Sequence, residues 1–286
     1  MILVLLLAGC QSSDDAEHFA VYEVPVDGNT PQLLFEDSTK TYFSPIWSPD
    51  GTQIVVNVTD VGEKSGELHI FDVEHDTWRQ LTDNGRNNWF PAWSPDGEHI
   101  VYISQREDDT ATADIYMIRA DGTGETILLD NDAFEYGLSW SPDGERLAYG
   151  SEQGGAWQIY IMTISTGETA PLATPQHGNS PTWSPDGAWL AFTSDRDGDD
   201  DIFVSRIDGS AVQNLTANED WDDNPRWSPD GTSIAFTSYR NDQYGIYLIN
   251  PDTGIETNIT PDTSLYTGFA AWYPDGSRVL FQGGED

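Results

Sequence analysis

Six short apolar runs follow one another along the chain, each opening just after the same five letters. "WSPDG" occupies 47–51, 93–97, 140–144, 183–187 and 227–231, and "WYPDG" occupies 272–276. After each glycine comes a run such as "TQIVVNV" (52–58), "EHIVYIS" (98–104) or "TSIAFTS" (232–238). Three consecutive apolar positions leave no polar face, so these runs predict strands buried on both sides. A second apolar run follows the first five: "ELHIFDV", "ADIYMIR", "WQIYIMT", "DIFVSRI" and "GIYLINP". A shorter one closes the unit: "WRQLT", "TILL", "APLA", "VQNLT" and "ETNIT". Turn residues such as "ADGTG", "STG", "IDGS" and "PDTG" separate them. In the repeated turn, proline presets φ, Asp or Ser bonds nearby backbone, and glycine takes a left-handed position.

The unit therefore predicts four antiparallel strands, and the tryptophans recur 43 to 47 residues apart. A strand-rich period in the forties is a propeller period. The last unit reaches only two strands, ending near Phe281. Ahead of the first tryptophan, "FAVYEV" (19–24) and "PQLLFED" (31–37) match strands three and four. The expectation is an all-β, six-bladed propeller of four-stranded antiparallel blades. Its ring is closed by the N-terminal strands completing the last blade, which hides the sheet edges. The propeller is assigned to 18–286 as one domain, with a monomer expected.

With the repeat in view, the chain resembles the TolB-type propeller family, whose repeat is similar to P-x-W-S-P-D-G-x-x-I-A-F-x-S-x-R. "PTWSPDGAWLAFTSDRDGDDDIFV" (181–204) and "PRWSPDGTSIAFTSYRNDQYGIYL" (225–248) carry the likeness, which extends over roughly 18–281. The resemblance implies fold more than function. TolB also has an N-terminal α/β domain, for which this sequence shows no room. Related repeats occur in prolyl-oligopeptidase-type peptidases and in oligogalacturonate lyases, and the catalytic apparatus of neither is evident.

Composition sharpens the cellular setting. The 286 residues hold 49 acidic and 12 basic side chains, a formal net charge of −37. That excess repels phosphate backbones, so nucleic-acid binding is excluded. The single cysteine, Cys10, rules out an internal disulfide and a cysteine-built zinc site. It follows an apolar run, and "LAGC" (7–10) resembles a bacterial lipobox. The expectation is a signal peptide over 1–9, lipid on Cys10 and a tether over 10–17, although no Lys or Arg precedes the run. Membrane contact would be through that lipid alone. The localisation implied is an extracytoplasmic lipoprotein, periplasmic or at the cell surface. Gln11, in place of an Asp, hints at outer-membrane sorting in a double-membraned cell.

Catalytic patterns are missing. There is no G-x-S-x-G, P-loop, G-x-G-x-x-G or H-E-x-x-H. Of the five histidines only His177 falls between blades. "SDRDGDDDIF" (194–203) alternates Asp195, Asp197, Asp199 and Asp201, hard oxygens that suit calcium. Its sixth and twelfth positions lack the Gly and Glu of an EF-type loop, and the next blade has an ordinary hairpin there. Calcium is the one cofactor this pattern admits; otherwise none is expected.

The segments joining the blades carry the unrepeated chemistry. They gather on the face opposite the repeated turns, around the mouth of the central channel. Tyr42, Asn88, Trp89, Tyr136, Asn179, Trp221, Asp222, Asn224 and Tyr266 are the candidate ligand contacts. Aromatic platforms beside amides and carboxylates suit a protein, a peptide or a glycan. The functional expectation is an envelope binding module whose partner is a protein, a peptide or a glycan. The alternative is a carbohydrate lyase or hydrolase using carboxylates at the mouth.

Overall fold

The computed structural model describes residues 18–285 apart from 29, 64, 107, 108, 174–176 and 262–264. Cys10, the signal segment 1–9 and the tether 10–17 lie outside the described residues. Every described element is a strand, and no helix among the described residues is long and apolar enough to cross a membrane.

The chain starts with β1 (Phe19–Pro25) and β2 (Gln32–Phe35). Blade 1 then holds β3 (Lys40–Trp47), β4 (Gln53–Asp60), β5 (Glu67–Asp72) and β6 (Thr77–Gln80). Blade 2 holds β7 (Asn88–Trp93), β8 (His99–Arg106), β9 (Asp109–Arg119) and β10 (Thr126–Leu129). Blade 3 holds β11 (Glu135–Trp140), β12 (Arg146–Ser151), β13 (Gln158–Thr163) and β14 (Thr169–Pro171). Blade 4 holds β15 (Asn179–Trp183), β16 (Trp189–Ser194), β17 (Asp201–Arg206) and β18 (Gln213–Asn214). Blade 5 holds β19 (Trp221–Trp227), β20 (Ile234–Arg240), β21 (Gln243–Ile249) and β22 (Glu256–Asn258). Blade 6 adds β23 (Leu265–Trp272) and β24 (Arg278–Glu285) to the two N-terminal strands, in the order β2-β1-β24-β23.

The ring closes as the sequence implied, with β1 pairing antiparallel to β24 from Phe19↔Gly284 to Pro25↔Arg278. β24 runs beyond Phe281, where the sequence reading ended it, because the N-terminal strand gives its last residues partners. The second strand of each blade is buried on both faces: Ile54, Val55 and Val56 have no exposure. Each is packed between neighbouring blades.

The repeated turn has two tasks. Inside a blade, Ser48 Oγ donates to Asp50 Oδ1 (2.7 Å) and accepts from the Gln53 amide (2.9 Å), while the Gly51 amide bonds the Ser48 carbonyl (2.9 Å). Between blades, proline packs on glycine. A methyl group built on Gly51 would lie 3.5 Å from Pro274, and the pairs Gly97–Pro49, Gly144–Pro95, Gly187–Pro142, Gly231–Pro185 and Gly276–Pro229 repeat this around the ring. The tryptophans also join blades: Trp140 Nε1 donates to the Ala92 carbonyl and Trp272 Nε1 to the Arg226 carbonyl. Each of the five letters thus serves a turn or a seam.

Candidate functional site

The joining segments are not loops throughout. Their second halves are the innermost strands β3, β7, β11, β15, β19 and β23. Each of these strands breaks register three residues before its tryptophan. There the backbone turns left-handed: Ser44 (φ +51), Phe90 (+49), Gly137 (+61), Ser180 (+49), Asn224 (+56) and Phe269 (+52). Five are not glycine, and such positions cost of order 1–2 kcal/mol. A proline follows four of them: Pro45, Pro91, Pro181 and Pro225. It lacks the amide that the broken ladder could not use. A bulge of this kind re-aims side chains, here toward the axis.

The result is a channel with two unlike halves. Phe90 packs edge-on against Tyr136 at 4.4 Å and meets Phe269 at 5.5 Å. Blades 2 and 6 are not neighbours, so these rings meet across the axis and plug it. Burial raises the pKa of the Tyr136 hydroxyl, and the Asn224 and Ser180 side chains oppose the rise. Blades 4 and 5 supply the polar half. Asp223, 1% exposed, accepts from Thr193 Oγ1 (2.7 Å), the Asn224 amide (2.6 Å) and Asn224 Nδ2 (3.0 Å). Burial pushes its carboxyl up to about 6, against those hydrogen bonds.

On the mouth side of the plug an aromatic arc crosses three blades. Trp221 meets Tyr244 edge-on (6.1 Å), Tyr244 meets Tyr266 (4.2 Å), Tyr266 meets Phe19 (5.5 Å), and Phe19 meets Phe43 (5.4 Å). Tyr239, exposed, packs on Tyr244 at 4.7 Å. Trp221 is held by its indole nitrogen, which donates to Asp200 Oδ2 (3.0 Å). Burial raises the pKa of Asp200. Beside the arc, Arg240 contacts Asp222 (3.2 Å), Asp220 (3.5 Å) and Glu256 (2.5 Å). Burial also raises the pKa of Asp222, and Ser238 and Arg240 oppose the rise.

The residues expected to meet a ligand divide accordingly. Trp221 and Tyr266 lie in the arc and keep accessible surface. Asn179 is partly buried beside the polar half, accepting from Ser180 Oγ at 3.0 Å. Tyr136 and Asn224 belong to the plug and its polar wall. Trp89 is 8% exposed and packs on Phe134. Tyr42 points into the seam between blades 1 and 6, edge-on to Phe35 at 5.1 Å. Asn88 is fully buried and donates to Glu67 Oε2 (2.9 Å) and Asn84 Oδ1 (3.1 Å). Asp222 is fully buried under Arg240. In extended chain alternate side chains face opposite ways, so neighbouring letters of one segment part between seam and mouth.

Of the four alternating aspartates, Asp197 and Asp201 meet at Asn214, and no three converge as metal ligands would. Asp195 pairs with His177 (3.0 Å), Asp197 accepts from Asn214 (3.3 Å), and Asp201 is 2% exposed, accepting from Asn214 (2.7 Å). Asp199 leaves one buried carboxylate oxygen without a hydrogen bond. Among the described residues, three metal-ligating side chains converge only at a repeated turn, where Asp96 and Glu98 are exposed and His99 is partly buried. Phe19, Tyr239 and Tyr244 were not picked out from the sequence. For Tyr239 and Tyr244 the signal lay in the hairpin between strands two and three, "SYRNDQYG", which shares the mouth face.

Fold and site together define a closed six-bladed propeller with a plugged channel and an aromatic, acidic mouth. The chain belongs to the TolB beta propeller domain family, whose model matches residues 6–180 and 173–286. Among solved structures it is similar to the "putative TolB" of Agrobacterium tumefaciens, with TM-score 0.80 and 22% identity over 95% of this chain and 100% of that one. TolB of Acinetobacter baumannii follows, with TM-score 0.63 and 20% identity over 99% of this chain and 68% of that one. An oligogalacturonate lyase of Vibrio parahaemolyticus has TM-score 0.60 and 14% identity over 96% and 98%. At these identities the likeness speaks to fold. Among curated protein sequences none matches.

Proposed function

We propose that this propeller is a binding module of the bacterial envelope that engages a protein, peptide or glycan at its mouth. The observation that carries the reading is the arc from Trp221 to Phe43, rings in continuous contact across three blades, four of them partly exposed and Phe19 buried beneath them, with the Asp200 carboxylate beside Trp221. Rings held this way lose little entropy on binding and offer a flat apolar face to a sugar, a proline or an aromatic side chain. The mouth carboxylates are each held by partners: Asp200 by Trp221, Asp222 by Arg240, Asp223 by Thr193 and Asn224. Asp222 and Asp223 are buried, so the rings rather than these carboxylates are what a ligand at the mouth meets, which favours a binding module over a carbohydrate lyase or hydrolase.

The reading includes a lipid on Cys10. β1 begins at the mouth, where Phe19 packs on Phe43 and Tyr266. Cys10 and Phe19 lie nine positions apart, a reach of at most roughly 30 Å at about 3.3–3.6 Å per residue. A lipidated chain would hold its mouth toward the membrane, facing whatever is anchored in it.

The test is affinity capture from detergent-solubilised envelope by the 18–286 propeller, alongside a glycan array, each repeated with Trp221→Ala and Tyr266→Ala. A ligand retained by the parent and lost by both variants supports the mouth. A ligand held equally by all three would move the site elsewhere.

A further inference from the structure

The channel has a second end. Below the plug, on the Trp-Ser-Pro-Asp-Gly face, a cavity of about 290 Å³ reaches from Phe90 and Phe269 down to Pro49 and Pro95. Tryptophan is the commonest residue in its walls. Trp47, Trp93, Trp140, Trp227 and Trp272 all line it. The residue before each tryptophan also lines the cavity, and the six are Ile46, Ala92, Ser139, Thr182, Arg226 and Ala271. Five are neutral, so Arg226 breaks the sixfold pattern.

The charge at this site runs against the whole molecule. The chain carries 49 acidic and 12 basic residues, yet the cavity lining includes one arginine and no carboxylate. Arg226 Nη1 donates to the Pro225 carbonyl at 2.9 Å, the one hydrogen bond its guanidinium makes among the described residues. Guanidinium has five N–H donors in a fixed fork that matches a carboxylate. Asp223 and Tyr136 act on it electrostatically without forming an ion pair. Burial lowers its pKa, so the charge is held at a desolvation cost that a bound anion would relieve.

We propose that this cavity binds a ligand with a small apolar, ring-sized body and a terminal carboxylate, seated on Arg226. The volume sits at the low end of small-molecule pockets, about 300–1,000 Å³. That suits one aromatic ring and a short tail. The indole walls take the ring, and Arg226 at the roof takes the charge.

The same chemistry could come from a free organic acid or from the C-terminus of a chain ending in an apolar residue. The rim separates the two. Asp50, Asp96, Asp143, Asp186, Asp230 and Asp275 ring this face. Hydrogen bonds from the serine hydroxyl or following residues hold all six below the usual carboxylate range. That anionic rim repels a free acid and attracts lysines preceding a chain terminus.

The experiment titrates the propeller by calorimetry and tryptophan fluorescence with four probes. These are 3-phenylpropionate, 3-phenylpropionamide, acetyl-Lys-Lys-Phe with a free carboxylate, and the same peptide amidated. At least one acid should bind at least about tenfold more tightly than its amide, the weight of a charge-assisted pair. Arg226→Gln should erase that preference while keeping the thermal transition. Ala92→Phe, which fills the cavity and leaves Arg226 in place, should abolish binding of both acids. A tighter, strongly salt-dependent peptide would assign a chain terminus, and parity between the two acids a free acid. Equal binding of acid and amide, no binding of either acid, or a preference surviving in Arg226→Gln would each overturn the proposal.

Discussion

Replacing Gly137 by alanine places a methyl group where blade 4 already lies. The new Cβ would sit 2.8 Å from Ser180 Cα and 3.3 Å from its amide nitrogen, both backbone atoms of β15. Comfortable carbon–carbon contact begins near 3.5 Å, so the two blades must part by several tenths of an ångström. Gly137 is also left-handed, with φ +61. The matched control is Gly144→Ala, in a repeated turn. There φ is +72, and the nearest atom, Pro95 Cδ, would lie an unstrained 3.8 Å away. Both variants bear the left-handed penalty of about 1–2 kcal/mol. Only Gly137→Ala adds overpacking, about 1–3 kcal/mol. The expected difference is therefore about 2 kcal/mol, or roughly 4–8 °C in Tm for a domain of this size. Urea melts give the free energies and calorimetry the Tm values. Equal losses in the two variants would refute the claim that Gly137 is required by contact between blades.

Four further outcomes follow from the same geometry. Asp223 has its carboxyl raised to about 6 from 3.8, so the folded state binds the proton more tightly than the unfolded chain. Its stabilising share is present below about pH 4 and lost as pH rises through 6, by up to ~3 kcal/mol. Asp223→Asn should therefore gain on the parent between pH 4 and pH 7 in denaturant melts, and a flat difference would count against the buried carboxyl. Ser184→Ala deletes the bonds from Ser184 Oγ to Asp186 (2.6 Å) and from the Trp189 amide to Ser184 Oγ (2.9 Å). About 1–2 kcal/mol should be lost, read from urea melts. Trp221→Ala should weaken mouth binding at least about tenfold while costing under about 1 kcal/mol of stability; a collapse of stability would make Trp221 a packing residue. Cys10→Ser should move the full chain from the detergent phase to the aqueous phase in Triton X-114 partitioning, and unchanged partitioning would exclude the lipid.

The site was only half legible in the sequence. Trp221 and Tyr266 fall in the arc because both precede the bulge on strands that enter from the mouth. Tyr42, a residue of the same type at a similar distance from its tryptophan, turns into the seam with Phe35 and Trp78. Asn88 and Asp222 sit five residues before their tryptophans, and both are fully buried in hydrogen-bond networks. Tyr244 and Phe19 arrive from a hairpin and from the far end of the chain. The segment-by-segment reading did not bring them together, although ring closure puts Phe19 against Tyr266.

The local code determined the architecture. A turn of serine, proline, aspartate and glycine, followed by three apolar residues, is satisfied within about ten residues and was written six times, with tyrosine for serine in the last. It fixed the blade, the count and the closure because each depends on short-range hydrogen bonds and on burial of both strand faces. What meets at the axis was decided only in three dimensions. The left-handed bulges aim Phe90, Phe269 and Tyr136 at one another from blades that are distant in sequence. Arg226 stands alone among neutral neighbours only once six separate positions are brought into one ring. A side chain's direction at a bulge depends on backbone torsion and on the opposing blade, and neither is carried by the letter itself.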